Sequence, residues 1–150
     1  MNFTDFVDKI KTYVADTLPD YLEAAELKNF DGYIDDFIDL DKYKQKTLLF
    51  FDFEDMTFRE LSLGSLEVEQ TMHIYIVLRG QSADNLRALL RKYTTVFYTF
   101  FYDPDKSERR FSGIIDNGLI NDVIFFDAAL GNENIKVADI SINMKVEDCI

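Results

Sequence analysis

The sequence predicts an α+β domain: a mostly antiparallel sheet of four to five strands with two main helices packed on one face. Three observations carry this. Residues 66–79 alternate, with Leu66, Val68, Gln70, Met72, Ile74, Ile76 and Leu78 on one side and Glu67, Glu69, Thr71, His73, Tyr75, Val77 and Arg79 on the other. A period of two marks a strand with one dry and one wet face. Directly after Gly80 the period turns helical: Leu86, Leu89, Leu90, Tyr93, Phe97, Phe100 and Phe101 form one stripe, the mark of an amphipathic helix. Near the end Ala138, Ile140, Ile142, Met144 and Val146 alternate with Asp139, Ser141, Asn143, Lys145 and Glu147, a second half-wet strand.

The remaining elements follow in order. Thr4 or Asp5 is a candidate cap for an opening helix whose apolar face is Phe6, Ile10, Tyr13 and Val14. Pro19 is expected to interrupt it, with Asp20 capping a further helical stretch through Tyr21, Leu22, Ala25 and Leu27. Residues 29–44 interleave aspartates with aromatics, fit neither period throughout, and read as an irregular connection. Residues 46–53 form a strand apolar on both faces near its middle, which suggests a central or interface position. Glu54-Asp55-Met56 reads as a turn into a separate strand over 57–63, and Gly64-Ser65 permits a bend before the long strand. Ser82 is the expected cap of the second helix, and Asp84 suits the positive end of its dipole. Pro104 stops that helix, and a polar loop with Arg109 and Arg110 runs to about Gly118. Residues 119–126 and 135–147 then form a hairpin around Gly131-Asn132-Glu133-Asn134. The order is helix, three strands, helix, two strands, with Leu90, Phe97 and Phe100 expected against Met72, Ile74, Ile76 and Ile142. No linker or repeat divides the 150 residues, so a single domain spans 1–150.

Composition narrows the function classes. Hydrophobic residues make up 47% and aromatics 15%, enough for a core rather than disorder. The net charge of −12 disfavours phosphate-backbone binding, where cations replace counterions. It favours solubility, repulsion from DNA, or docking to a basic partner. Cys149 is the only cysteine, so no internal disulfide forms and a reducing compartment fits. No apolar run is long enough to span a bilayer, and the first residues lack a signal-peptide pattern. These features read as cytoplasmic, without membrane partners.

No motif names a reaction. Asp103-Pro104-Asp105-Lys106-Ser107 begins like a calcium loop, but Glu108 stands where glycine is required and Ile114 where glutamate is. Pro19-Asp20 with Glu26-Leu27-Lys28 imitates a nuclease signature whose second half belongs on a strand, and here it lies in a helical pattern. His73, the only histidine, sits on the wet strand face with Tyr75 beside it, and Glu69 lies too far along the strand to pair with it. Phosphate loops, dinucleotide fingerprints, CxxC pairs and HExxH are missing. The expectation is therefore a protein that is not an enzyme, with neither cofactor nor metal. The aspartates at 31, 35, 36, 39 and 41 are candidates for presenting negative charge to a basic partner or for collecting a cation.

The order and character of the elements resemble bacteriophage and prophage tail terminator (tail completion, head-tail joining) proteins. The likeness rests on the opening helix ending near Leu18-Pro19, the acidic aromatic stretch, and the alternating strand closing with Ile76-Val77-Leu78-Arg79-Gly80. It rests also on the helix beginning Gln81-Ser82-Ala83-Asp84-Asn85-Leu86 and on the closing strand Val137-Ala138-Asp139-Ile140-Ser141-Ile142-Asn143-Met144. It covers nearly the whole chain and includes no invariant signature. The resemblance implies a non-enzymatic subunit that assembles as a homo-oligomeric ring, commonly a hexamer, on the end of the tail tube. It would contact tail-tube and head-completion proteins, in the virion or in the bacterial cytoplasm during assembly. Glu67, Glu69 and Thr71 would then border a channel for passing DNA, with Asp35, Asp36 and Asp39 as further partner contacts. The competing expectation is an acidic immunity or DNA-mimic protein that blocks a basic partner through Asp31, Asp35, Asp36, Asp39 and Asp41.

Overall fold

A computed structural model describes residues 1–36, 38–103, 109–129, 131–132 and 134–149. The elements run α1 (Phe3–Ala24), β1 (Gly32–Ile34), β2 (Thr47–Ser62), β3 (Ser65–Arg79), α2 (Ala83–Phe101), a 3-10 turn (Phe111–Gly113), β4 (Asn117–Phe126) and β5 (Ile135–Cys149). The five strands form one sheet in the order β1-β2-β3-β5-β4. The β1–β2 pair is parallel and the other three are antiparallel. Both helices lie on one face, as the sequence predicts.

The main core fills the space between helices and sheet. Ile10, Val14, Leu18 and Leu22 of α1 are almost fully buried with Leu90, Phe97 and Phe100 of α2, over Phe51, Met72, Ile74, Ile76 and Ile142. Each such aliphatic side chain contributes about 1.5–3 kcal/mol when removed from water. Aromatic rings lock the helices together: Tyr13 stacks on Phe100 at 5.7 Å, and Tyr21 meets the same ring edge-on at 5.4 Å.

Several expectations are corrected. The cap of α1 is Asn2, whose Oδ1 accepts from the Asp5 amide at 3.1 Å, rather than Thr4 or Asp5. Pro19 does not interrupt α1, which continues to Ala24. Proline removes one hydrogen bond to the preceding turn, and the burial of Leu18 and Leu22 on either side of it offsets that loss. Ser82 is the N-cap residue of α2, but its side chain makes no capping bond. Residues 46–53 and 57–63 are not two strands. They belong to the single strand β2, which carries a bulge between Phe53 and Met56. Glu54 and Asp55 together oppose Thr71, so one extra residue reverses the phase of the alternation. Phe51 and Phe53 point to the helices before the bulge, and Met56 and Phe58 do so after it. Alternation that changes phase looks like two strands. Gly64, with a φ of 81°, makes the tight turn into β3. The loop after α2 is less polar than expected: Phe111 and Ile115 are buried in the main core. Pro104, most of the calcium-like stretch, Phe37 and Glu133 lie outside the described residues.

The largest correction concerns residues 29–44. They supply β1, which pairs parallel with Leu48–Phe50. They then fold over the back of the sheet, the face turned away from the helices. There Leu40 joins Leu48, Phe50, Val77, Ile135 and Val137 in a second, smaller core, with Ile34, Ile38 and Tyr43 packed against it. The Asp39 carboxylate accepts from the amides of Asp41 at 3.0 Å and Lys42 at 3.1 Å. Arg79 holds the segment down by donating to the carbonyls of Leu40 and Tyr43. The back face is therefore only half open, and the apolar alternation of residues 46–53 on both sides reports two cores.

Candidate functional site

The open half of the back face is built by register. Across β2, β3 and β5, Asp52 faces His73, His73 faces Ser141, Thr71 faces Asn143, Glu69 faces Lys145, and Glu67 faces Glu147. The residues the sequence assigns to the wet face, Glu67, Glu69 and Thr71, are there and partly exposed. Glu67 takes a hydrogen bond from Arg59 at 3.1 Å. Glu69 takes one from the Asn143 amide at 2.9 Å. A small groove brings both carboxylates together with Thr57, Arg59 and Lys145.

The acidic segment lies elsewhere and is turned onto its own chain. Asp35 pairs with Lys11 of α1 at 2.9 Å. Asp36 pairs with Lys42 at 3.1 Å and takes the Tyr43 hydroxyl proton at 2.8 Å. Asp39 accepts the two backbone amides described above. Asp31 accepts from the Thr47 amide at 3.2 Å. Burial would raise its carboxyl pKa, but the bonds from Thr47 and the nearby Lys28 ammonium outweigh that and hold it below the ordinary range. The structure does not bring Asp35, Asp36 and Asp39 to Glu67, Glu69 and Thr71: the first set belongs to the covered end of the sheet, the second to the bare end.

His73 is where cross-strand geometry adds most. Its Nδ1 lies 2.7 Å from Asp139 of β5 and its Nε2 2.7 Å from Glu54 in the β2 bulge. The ring stacks on Tyr75 at 5.7 Å. Burial pushes the imidazole pKa down, but the two carboxylates raise it above its ordinary value. Burial, with the negative charges of Asp139, Asp52 and Glu54, pushes the Tyr75 hydroxyl up to about 12. A general base needs a free ring nitrogen, and both nitrogens of His73 are engaged. The arrangement favours an imidazolium clamp that ties β2 to β5 across β3. Sequence reasoning missed Glu54 and Asp139 because neither neighbours His73 along the chain. The phase of β5 places Asp139 on the correct face, but only the register puts it within reach. Among the described residues, no group of three or more potential metal ligands is gathered.

The apolar surface is distributed unevenly. Among the described residues, the large hydrophobic side chains left exposed form two groups. Met1, Phe3, Phe58, Leu61 and Leu63 surround the outer end of the β2–β3 hairpin. Tyr98, Leu119, Ile124, Phe125 and Phe126 surround β4. These are the two opposite margins of the sheet. No helix among the described residues is long and apolar enough to cross a membrane. Compared with known protein families and with curated proteins, the chain matches none.

Proposed function

We propose that this chain is a structural assembly subunit of the phage or prophage tail terminator type, which self-associates into a ring at the end of a tail tube and is not an enzyme. One observation carries the reading: the exposed apolar side chains gather at two different margins of one sheet. Contiguous apolar exposure of that kind marks surfaces completed by other chains. Two unlike margins on one subunit suit a repeating contact that closes into a ring. The bare back face supports a channel role. There Asp52, Glu54, Glu67, Glu69, Asp139 and Glu147 outnumber Arg59, Lys145 and His73. Excess negative charge keeps passing DNA from adhering.

In this reading Glu67, Glu69 and Thr71 line the lumen, tail-tube and head-completion proteins dock at the ring faces, and the subunit reaches the virion from the bacterial cytoplasm. The immunity or DNA-mimic alternative draws less support, because Asp31, Asp35, Asp36 and Asp39 are engaged by their own chain. The test is electron microscopy of the purified chain mixed with polymerising tail-tube protein. Rings at tube ends and arrested growth are expected. Tubes that elongate bare-ended at saturating subunit would refute the proposal.

A further inference from the structure

We propose that two copies join head to tail, the free edge of β4 in one copy pairing with the open arm of β2, residues 51–62, in the next. The inference rests on the assembly reading above and names the contact that reading leaves open. The sheet order gives β4 no outer neighbour among the described residues. At the opposite margin β1 pairs only with Leu48, Leu49 and Phe50 of β2. The rest of β2, on its outer side, has no strand partner among the described residues. Unpaired edges are templates for strand addition unless they are blunted.

Direction permits the pairing. β2, β3, β5 and β4 alternate in direction through three antiparallel pairs, so β4 runs opposite to β2. A second copy in the same orientation therefore offers its β2 antiparallel to β4. Because β1 covers the start of β2, the incoming β4 pairs with the half nearer the hairpin.

Side chains and charge agree with that orientation. Phe58 lies opposite Val68, on the helix side, with the Phe3 ring 6.0 Å away. On the same side at the other margin, a groove of about 460 Å³ runs between α2 and β4, lined by Tyr98, Ile120, Val123 and Phe125. Phe58 of the second copy enters this groove. Arg91 also lines it. Arg91 and the neighbouring Lys92 are exposed and make no ion pair among the described residues. On that helix side the β2 arm presents Glu60, opposite Leu66, while Asp52, Glu54 and Arg59 face the back of the sheet. Glu60 of one copy and Arg91 of the next thus share the helix side of the contact, while two β4 edges or two β2 arms would juxtapose like surfaces.

The experiment uses the full chain and two variants, Phe58→Asp and Phe125→Asp, each at a half-exposed position and each checked for folding by circular dichroism. Native mass spectrometry and sedimentation velocity are run up to millimolar concentration. The wild type is expected to form species larger than a dimer. Either variant alone is expected to stay monomeric, its self-association weakened roughly tenfold or more. An equimolar mixture of the two is expected to stop at a 1:1 heterodimer, because each variant retains the surface the other lacks. Leu61→Lys and Ile124→Lys repeat the design if an aspartate variant does not fold. Wild-type association by Phe58→Asp alone, a mixture that stays monomeric, or a wild type that remains monomeric throughout would each overturn the pairing. Tube capping is scored in parallel. Capping without edge pairing sinks this inference alone, and edge pairing without capping sinks only the tail-terminator reading.

Discussion

The back of the sheet is two surfaces on the same three strands. At one end Leu48, Phe50, Val77 and Val137 are buried beneath the segment around Leu40 and Tyr43. At the other, Thr71, Glu69, Glu67 and Lys145 are partly exposed, with Glu69 held by Asn143 and Glu67 by Arg59. The strands cross from one regime to the other near Tyr75, which packs against the smaller core and stacks on His73. The covered end is held by area removed from water, a large and non-directional contribution. The bare end is held by exchangeable polar contacts, each of which is small once competition from water is counted. Stability should therefore be concentrated at the first end, which leaves the second free to answer to something outside the chain.

The comparison breaks most visibly at Phe50. This ring is fully buried, with Tyr43 edge-on to it at 5.6 Å. Phe50→Ala removes it from both the sheet and its cover, and the expected loss is about 3–5 kcal/mol in urea denaturation. Thr71→Ala, six residues along β3 from its covered end, is expected within about 0.5 kcal/mol of the wild type. Similar losses from the two would mean that the bare half is as structural as the covered half.

The boundary itself titrates. The folded-state pKa of His73 is raised above the ordinary value of 6.5, because the bonds to Asp139 and Glu54 outweigh the opposing effect of burial. A raised pKa adds stability that is fully present below the unfolded value and is lost as pH rises through the folded value. The wild type should therefore lose stability relative to His73→Gln from about pH 6.5 upward. The difference is expected at about 1 kcal/mol or less, since Glu54 is half exposed and solvent screens the pair. Denaturation of both proteins at a series of pH values reads it. A difference that grows with pH in the opposite sense would show that the neutral ring is the form the fold prefers.

How much of this was legible follows from the range of each interaction. The α2 stripe and the phases of β3 and β5 are written in local periodicity, so the helix-on-sheet core could be read directly. Residues 46–53 were apolar on both faces in sequence, yet nothing local said that residues 34–43 would supply the second cover. The bulge at Glu54-Asp55 hid the continuity of β2 by reversing its phase. Pro19 looked like a helix end because local propensity cannot weigh the tertiary burial of Leu18 and Leu22. Lys136 shares the phase of Ala138 and Ile140, and it is buried with its ammonium on the Asp127 carbonyl, a partner that nothing local names. The candidate residues divide the same way. Glu67, Glu69 and Thr71 stand where alternation put them, while the partners of Asp35 and His73 come from distant positions in the chain and those of Asp36 and Asp39 from within their own segment.

The smallest expected effect falls on Glu67, and its smallness is informative. Its partner Arg59 is mostly exposed, so the pair at 3.1 Å is screened and each side chain loses freedom in holding it. Glu67→Gln is expected to change the unfolding free energy by no more than about 0.5 kcal/mol, with the difference vanishing in high salt. A loss several times larger would place the bare half among the structural elements and erase the contrast between the two ends. If the loss is as small as expected, folding does not explain a carboxylate at this position. The same variant then isolates charge from fold: its effect on DNA passage through a capped tube, or on capping itself, reads what the open face contributes beyond stability.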